Sequence, residues 1–241
     1  MAIRGWRGRI GLLVPSVNTV VEPELNRLVP DGITVHAARM RNSRADVKDG
    51  LKMLDHVERA VDELASARVD VIAFACTTSS FVKGADGERR LRELIERSSR
   101  TKTITTSAAV VEALRTLQLQ RLTVVTPYSD EVNALEESYL TTNGFSVQAL
   151  RGMGTEDAWS IGAIPAEVVY RLARDAFRPD SDGLFISCTN LPTVDVIEAL
   201  ETDTGRPVVT SNQATLWACL RAIGCGEPVS GAGRLLRMPR L

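Results

Sequence analysis

Histidine and cysteine are scarce in this sequence: two histidines, His36 and His56, and four cysteines, Cys76, Cys188, Cys219 and Cys225, in 241 residues. Four cysteines without a C-x-x-C pair are too sparse for a disulfide scaffold. Two histidines give a zinc module or a His-rich catalytic centre too little to build on, so no metal is expected. An excess of either charge is lacking as well. The 29 Lys plus Arg face 30 Asp plus Glu, a formal charge of −1, which leaves no positive surplus for phosphate backbones or anionic lipid. Neither nucleic acid nor a membrane surface is an expected partner. No apolar run approaches the roughly 20 residues that span a bilayer, and Met1 to Arg9 lacks the apolar stretch and small-residue cleavage site of a secretory leader. A cytoplasmic protein is the expectation. Nucleotide signatures are also missing, because Gly152-Met-Gly154 has no third glycine and no Gly-x-x-x-x-Gly-Lys-Ser/Thr segment occurs.

What is present reads as a folded α/β chain, 44% hydrophobic and 24% charged. Short apolar runs alternate with stretches of helical period, the pattern of β-α units building mostly parallel sheets. Strands are predicted near Arg9 to Val14, Thr34 to Ala38, Val69 to Ala75, Lys102 to Thr105, Leu122 to Thr126, Ser146 to Leu150, Gly183 to Ser187 and Pro207 to Thr210. Helices are predicted over Asp49 to Ala67, Gly87 to Ser98, Ala108 to Leu117, Asp130 to Asn143, Pro165 to Phe177, Val194 to Glu201 and Ala214 to Ile223.

An internal repeat organises these elements. Arg9-Ile-Gly-Leu-Leu-Val-Pro-Ser16 resembles Arg121-Leu-Thr-Val-Val-Thr-Pro-Tyr128, 112 residues on, and the same offset carries Gly32 onto Gly144, Asp70 onto Asp182 and Cys76-Thr77 onto Cys188-Thr189. Thr106-Ser107 and Thr210-Ser211 match at a slightly shorter offset. Apolar strands align cheaply by chance; a fixed offset that superposes Pro, Gly, Asp and Cys-Thr together does not. Two pseudo-symmetric, Rossmann-like lobes are therefore expected, residues 1–118 and 119–241, with the boundary near Leu117 to Arg121 and the last helix crossing back.

Both repeated cysteines close a predicted strand. Cys76 is followed by Thr77-Thr78-Ser79-Ser80 and Cys188 by Thr189-Asn190-Leu191-Pro192. Ligands of open α/β sheets gather beyond the carboxyl ends of the strands, and small hydroxyl and amide residues there suit an anion pocket. Positive potential of that kind also favours a thiolate. Two thiols facing each other across an interlobe cleft can act as acid and base, or as nucleophile and acid. The bland alternative is that all four cysteines are small hydrophobes. That reading is adopted for Cys219, inside a helix face, and Cys225, in a Gly-flanked turn; for Cys76 and Cys188 the residues alone leave both open.

The segments Gly11-Leu-Leu-Val-Pro-Ser16-Val-Asn18, Ala75-Cys76-Thr77, Thr126-Pro-Tyr128, Ile186-Ser-Cys188-Thr189 and Gly231-Ala-Gly233-Arg234 resemble the maleate cis-trans isomerase and arylmalonate decarboxylase branch of the aspartate/glutamate racemase superfamily. The resemblance covers nearly the whole chain. It implies an enzyme that uses no cofactor and acts on a small carboxylate or dicarboxylate between the lobes, with Cys76 as nucleophile and Cys188 as partner acid or base. It further implies substrate holding by Ser16, Asn18, Thr77, Thr78, Tyr128, Thr189 and Asn190. Relatives of this kind are commonly homo-oligomers. Two departures bear on the reaction. Arylmalonate decarboxylases have glycine where Cys76 stands, which argues against plain decarboxylation; two thiols permit addition with rotation, the maleate-to-fumarate isomerisation expected here, or deprotonation and reprotonation of a stereocentre. The carboxylate-binding asparagine of the isomerases falls near Ala158 and is missing, and the segment from Val209 through Arg221 looks more like ectoine-utilisation relatives. A racemase or decarboxylase of a substituted malonate or an amino or hydroxy acid is the alternative, and a non-catalytic anion-binding or thiol redox module a further one.

Several residues also have plainer readings. Asn18 suits a helix cap, and Ser80 and Phe81 suit either pocket or core. His36 in a strand and His56 on a charged helix read as structural or solvent-facing, Arg89-Arg90 and Arg97 to Lys102 as solvated helix surface, and Gly231 to Arg234 as a turn closing the C-terminal segment onto the sheet.

Overall fold

The computed structural model describes residues 4–238; Met1 to Ile3, at the head of the segment read for a leader, and residues 239–241 lie outside the described residues. The first half contains strands β1 (Gly8–Pro15), β2 (Ile33–Met40), β3 (Val71–Phe74) and β4 (Lys102–Thr105). Its helices are α1 (Val21–Leu28), α2 (Val47–Met53), α3 (Val57–Ser66), α4 (Thr77–Phe81), α5 (Gly84–Ser99) and α6 (Thr106–Thr116). The second half contains strands β5 (Arg121–Thr126), β6 (Ser146–Gly152), β7 (Gly183–Ile186) and β8 (Val208–Thr210). With them come helices α7 (Asp130–Thr142), α8 (Ala158–Gly162), α9 (Ala166–Ala176), α10 (Ile197–Thr204), α11 (Ser211–Ala222) and α12 (Gly233–Arg237).

Each half is a parallel four-stranded sheet, in the orders β2-β1-β3-β4 and β6-β5-β7-β8. The central strands β3 and β7 are buried at every position, as sheets covered by helices on both faces require. The repeat holds to the level of register: Ile10 pairs with Val71 and, 112 residues on, Leu122 pairs with Gly183. The aspartates preceding β3 and β7 make the same clasp. Asp70 accepts the Arg9 N–H at 2.7 Å and Asp182 the Arg121 N–H at 2.9 Å, and each aspartate's own N–H returns to the arginine carbonyl.

The halves diverge in two places. A bulge shifts the β5–β6 register between Leu122 and Thr123, leaving Gln148 unmatched. The match proposed between Thr106-Ser107 and Thr210-Ser211 is one residue out. Phe74 pairs with Thr105 and its repeat mate Ile186 with Thr210, and it is Thr105 and Thr210 whose hydroxyls cap the following helices by accepting the Ala108 and Gln213 N–H groups. The strand-to-helix turn, not residue identity, sets that alignment.

The predicted strands are all present. The helix expected over Asp49 to Ala67 is divided into α2, a 3₁₀ turn at Leu54–His56, and α3. Helices α4, α8 and α12, of five residues each, were not expected, since five residues carry too little periodicity to read. Asn18 does lead into α1. The Gly231 to Arg234 turn closes onto β8, α10 and α11 through α12. Gly233, at φ +77°, leaves no room for a side chain, because a Cβ there would stand 2.4 Å from Ile197 Cγ2.

Helices α6 and α11 pack against each other between the sheets, and α11 reaches across to β3 and β4. Leu216, Trp217, Cys219 and Leu220 of α11 share one core with Leu12, Val110 and Val124. Cys225 is buried in the same core, so both cysteines read as hydrophobes are core residues. His36 is exposed on β2 and contacts Thr34, and Arg89 pairs with Asp86 and Glu93 on the solvent face of α5.

Candidate functional site

The carboxyl ends of β1, β3, β5 and β7 converge on one cleft of about 470 Å³, counted out to its mouth, lined by both repeated cysteines with Asn18, Thr77, Thr78, Tyr128, Thr189 and Asn190. The loop after β2 adds Asn42 and Arg44, and α8 adds Ala158 and Ile161.

Cys76 ends its strand in extended conformation, φ −145° and ψ 110°, immediately before α4. Burial pushes its thiol upward, while the Ser79 hydroxyl and the N–H groups of Ser79 and Thr78 face the sulfur and favour the thiolate. Cys188 occupies its repeat position in a different environment. Its backbone is held at φ +105°, a region non-glycine residues seldom adopt. Its N–H donates to Ser211 Oγ at 3.0 Å, and the Asn190 N–H donates to its sulfur at 3.4 Å. Burial, with the charges of Cys76 and Glu136 adding to it, pushes the Cys188 thiol up to about 12 against the pull of the Asn190 N–H and the Tyr128 hydroxyl. The same Ser211 oxygen accepts the Thr77 hydroxyl at 2.9 Å, so one side chain ties the two cysteine loops together.

Tyr128 is buried on the cleft wall, with the Thr78 and Ser187 hydroxyls facing its oxygen. Burial, with the Cys188 and Glu136 charges, holds its hydroxyl well above the usual tyrosine range. Asn133 fixes the turn that carries it. The Asn133 amide oxygen accepts the Thr126 hydroxyl at 2.6 Å, and its amide nitrogen donates to the Tyr128 carbonyl at 3.3 Å. Gly152, set aside as a nucleotide glycine, makes room for that asparagine: a Cβ there would stand 2.2 Å from Asn133 Nδ2.

Asn18 does two jobs. Its Oδ1 accepts the Val20 and Val21 N–H groups at the start of α1, and its Nδ2 donates to Thr189 Oγ1 at 3.1 Å across the cleft. Thr189 donates onward to the Ala75 carbonyl, and Asn190 accepts the Thr19 N–H and donates to the Ala158 carbonyl at 2.6 Å. These residues join the halves as well as line the cleft. At Ala158, where the side-chain amide is missing, the backbone carbonyl engages Asn190. Ser16 stands apart from the expected set. Its hydroxyl is engaged in both directions by the backbone of Asn42, and it supports the β2 loop instead of lining the cleft.

Ser79, Asn133, Ser187, Ser211, Asn42 and Arg44 were not singled out as site residues. Ser79 carried a signal in the hydroxyl run after Cys76, Ser187 in the segment Ile186 to Thr189, and Ser211 through its place in the repeat. Arg44 reaches over the mouth to pair with Asp46 and Glu156. Among the described residues no group of His, Cys, Asp and Glu is arranged to hold a metal ion, and no helix is long and apolar enough to cross a membrane.

A family model described as arylmalonate decarboxylase matches residues 10–236. The chain belongs to the arylmalonate decarboxylase family. Similar proteins include a maleate isomerase from Nocardia farcinica, 34% identical over 239 residues and 95% of each chain. Among solved structures, the maleate isomerase of Pseudomonas putida with maleate superposes with a TM-score of 0.92 at 28% identity, covering 95% of this chain and 97% of that one. A Nocardia farcinica maleate cis-trans isomerase mutant with a covalently bound succinylcysteine intermediate superposes with a TM-score of 0.91 at 31% identity, covering 95% and 98%. In this member of the arylmalonate decarboxylase family the two halves present one thiol each to a shared cleft; burial raises both, Cys188 to about 12, and Cys76 is faced by the Ser79 hydroxyl and two N–H groups where Cys188 has one N–H and the Tyr128 hydroxyl. Two thiols so placed can act as nucleophile and proton donor on a single carbon skeleton.

Proposed function

We propose that this protein isomerises maleate to fumarate by thiolate addition, with Cys76 as nucleophile and Cys188 as its acid and base. The observation that carries the reading is the unequal setting of two thiols at repeat-related positions of one cleft. Cys76 sulfur, as thiolate, bonds to one alkene carbon, and the π pair moves onto the other carbon and its carboxylate. The protonated Cys188 thiol gives its proton to that carbon, leaving a succinylated Cys76 with a single central bond. Rotation follows. Cys188 thiolate then takes the proton back, the pair re-forms the double bond in the trans sense, and the C–S bond breaks to restore the Cys76 thiolate. Asn18, Thr77, Thr78 and Tyr128 hold the carboxylates, with Thr189 and Asn190 bracing the cleft. Preorganised donors of this kind typically supply several kcal/mol to a developing enediolate.

The four free cysteines fit a reducing cytoplasm. Incubation of the reduced protein with maleate in heavy water, followed by proton NMR, tests the reading: fumarate should appear with the wild type and not with Cys76→Ser. The Thr78 and Tyr128 hydroxyls also suit the enediolate of a racemase or decarboxylase. Exchange of solvent deuterium at a carbon next to a carboxylate, with maleate left unchanged, would favour that second reading.

A further inference from the structure

Glu136 on α7 is a buried acid that the proposed chemistry does not use. Only 1% of it is exposed; Oε1 accepts the Ser187 hydroxyl and Oε2 has no partner. An unmatched carboxylate oxygen in that setting is costly, so its counterpart in the repeat is instructive. Glu24 on α1 stands 112 residues earlier and is fully engaged as a staple between the halves. It accepts the Thr193 and Val194 N–H groups at 2.7 and 3.0 Å and the Asn212 amide at 2.6 Å.

Glu136 makes no such staple. Its single partner, Ser187, replaces Ala75 of the first half, and the next group along, Tyr128, replaces Ser16. A chain Glu136–Ser187–Tyr128–Cys188 therefore exists in one half only: Ser187 faces the tyrosine oxygen, and the tyrosine hydroxyl faces the Cys188 sulfur. Each hydroxyl has one proton to donate. If Glu136 is protonated it can donate to Ser187, Ser187 then donates to Tyr128, and Tyr128 donates into the cleft. If Glu136 is ionised it must be the acceptor, Ser187 turns to it, and Tyr128 turns from the cleft to Ser187.

We propose that Glu136 is a positioning residue whose protonation state sets the direction of this hydrogen-bond chain, and with it whether Tyr128 donates to a carboxylate in the cleft. Burial raises the Glu136 carboxyl to about 8, opposed by the Ser187 hydroxyl. The groups that feel its charge are Tyr128, after β5, and Cys188, after β7. Of the other elements packed on α7, α4 carries no ionisable side chain and is preceded by Cys76, and β6 carries the exposed Arg151. The active arrangement is the protonated one, so the expected alkaline loss belongs to Glu136.

The kinetic arm rests on the isomerisation reading; a spectroscopic arm does not. Ionisation of the Cys76 thiol raises turnover with pH in both proteins, so the reading is the ratio of wild type to Glu136→Gln: it should fall above about pH 8, approaching tenfold per pH unit. Glu136→Gln, whose amide donates to Ser187 at every pH, should lack that limb, and Ser187→Ala should lack it because the link is cut. In infrared difference spectra the wild type should show a protonated carboxyl band titrating near 8. The Tyr128 C–O mode, identified with Tyr128→Phe, should shift with it. Ser187→Ala should keep the carboxyl titration and lose the tyrosine shift, and Glu136→Gln should lose both. A limb that persists in Glu136→Gln overturns the proposal, as does a wild-type carboxyl already ionised at neutral pH. Absence of maleate turnover would sink the isomerisation reading and leave the infrared titration to decide the role of Glu136.

Discussion

The two halves share strand order, most of their register and the placement of one thiol and one glutamate, yet each shared side chain is put to different use. Glu24 is met by two backbone N–H groups and an amide from the opposite half, whereas Glu136 meets one hydroxyl of its own half. Burial raises both thiols, but Cys76 precedes a helix and is faced by the Ser79 hydroxyl and two N–H groups, whereas Cys188 sits in a strained turn with one N–H and the Tyr128 hydroxyl and is pushed up to about 12. Duplication supplies the symmetric frame, and the surroundings of each copy set its chemistry.

Removing either thiol should have the largest effect. Cys76→Ser should abolish turnover, and Cys188→Ser should lower it by about 10² to 10⁴, the usual scale for a general acid or base. Both should leave the circular dichroism spectrum unchanged, because serine nearly matches cysteine in size and shape at each site. If the two variants lost equal activity and neither accumulated an adduct, the assigned division of labour would fail. Tyr128→Phe should cost about a hundredfold in kcat/KM, as loss of one oxyanion donor typically does, measured by the same fumarate assay.

The glutamates sharpen the comparison through stability. Glu24→Ala strands two N–H groups and an amide and should lower the unfolding free energy by about 1–3 kcal/mol, read from denaturant midpoints. Glu136→Leu removes an acid with a bare oxygen, and its effect should be smaller or of the opposite sign. The pH dependence separates wild type from Glu136→Gln. A carboxyl whose folded value is raised from 4.5 to about 8 binds its proton more tightly in the folded state. Its contribution is therefore present at low pH and is lost as pH rises through that window. Stability of Glu136→Gln should be flatter across the same range, and parallel curves for the two proteins would contradict the burial argument.

Much of the frame was legible because its signals are long or repeated. Buried strands such as Val71–Phe74 read as apolar runs, and the 112-residue offset superposed Cys76 on Cys188 before any geometry was known. Cys76, Cys188 and the hydroxyl and amide residues after them followed from their place at strand ends, and Asn18 and Tyr128 from the family resemblance. What escaped was local hydrogen bonding. Ser16 looked like a substrate contact, but the backbone of Asn42 engages its hydroxyl in both directions. Ser211, Asn133 and Ser187 are small polar residues with no periodicity, and each is defined by partners far along the chain or across a turn. The five-residue helix α4, made of Thr-Thr-Ser-Ser-Phe, has poor intrinsic helix formers and is held by its place between β3 and α5.

The most direct test of unequal thiols is mass spectrometry of Cys188→Ser protein after incubation with maleate. The account predicts one maleate added to the peptide bearing Cys76, absent from the Cys76→Ser protein. An unmodified Cys76 peptide, or in wild-type protein an adduct on Cys188 in its place, would contradict it.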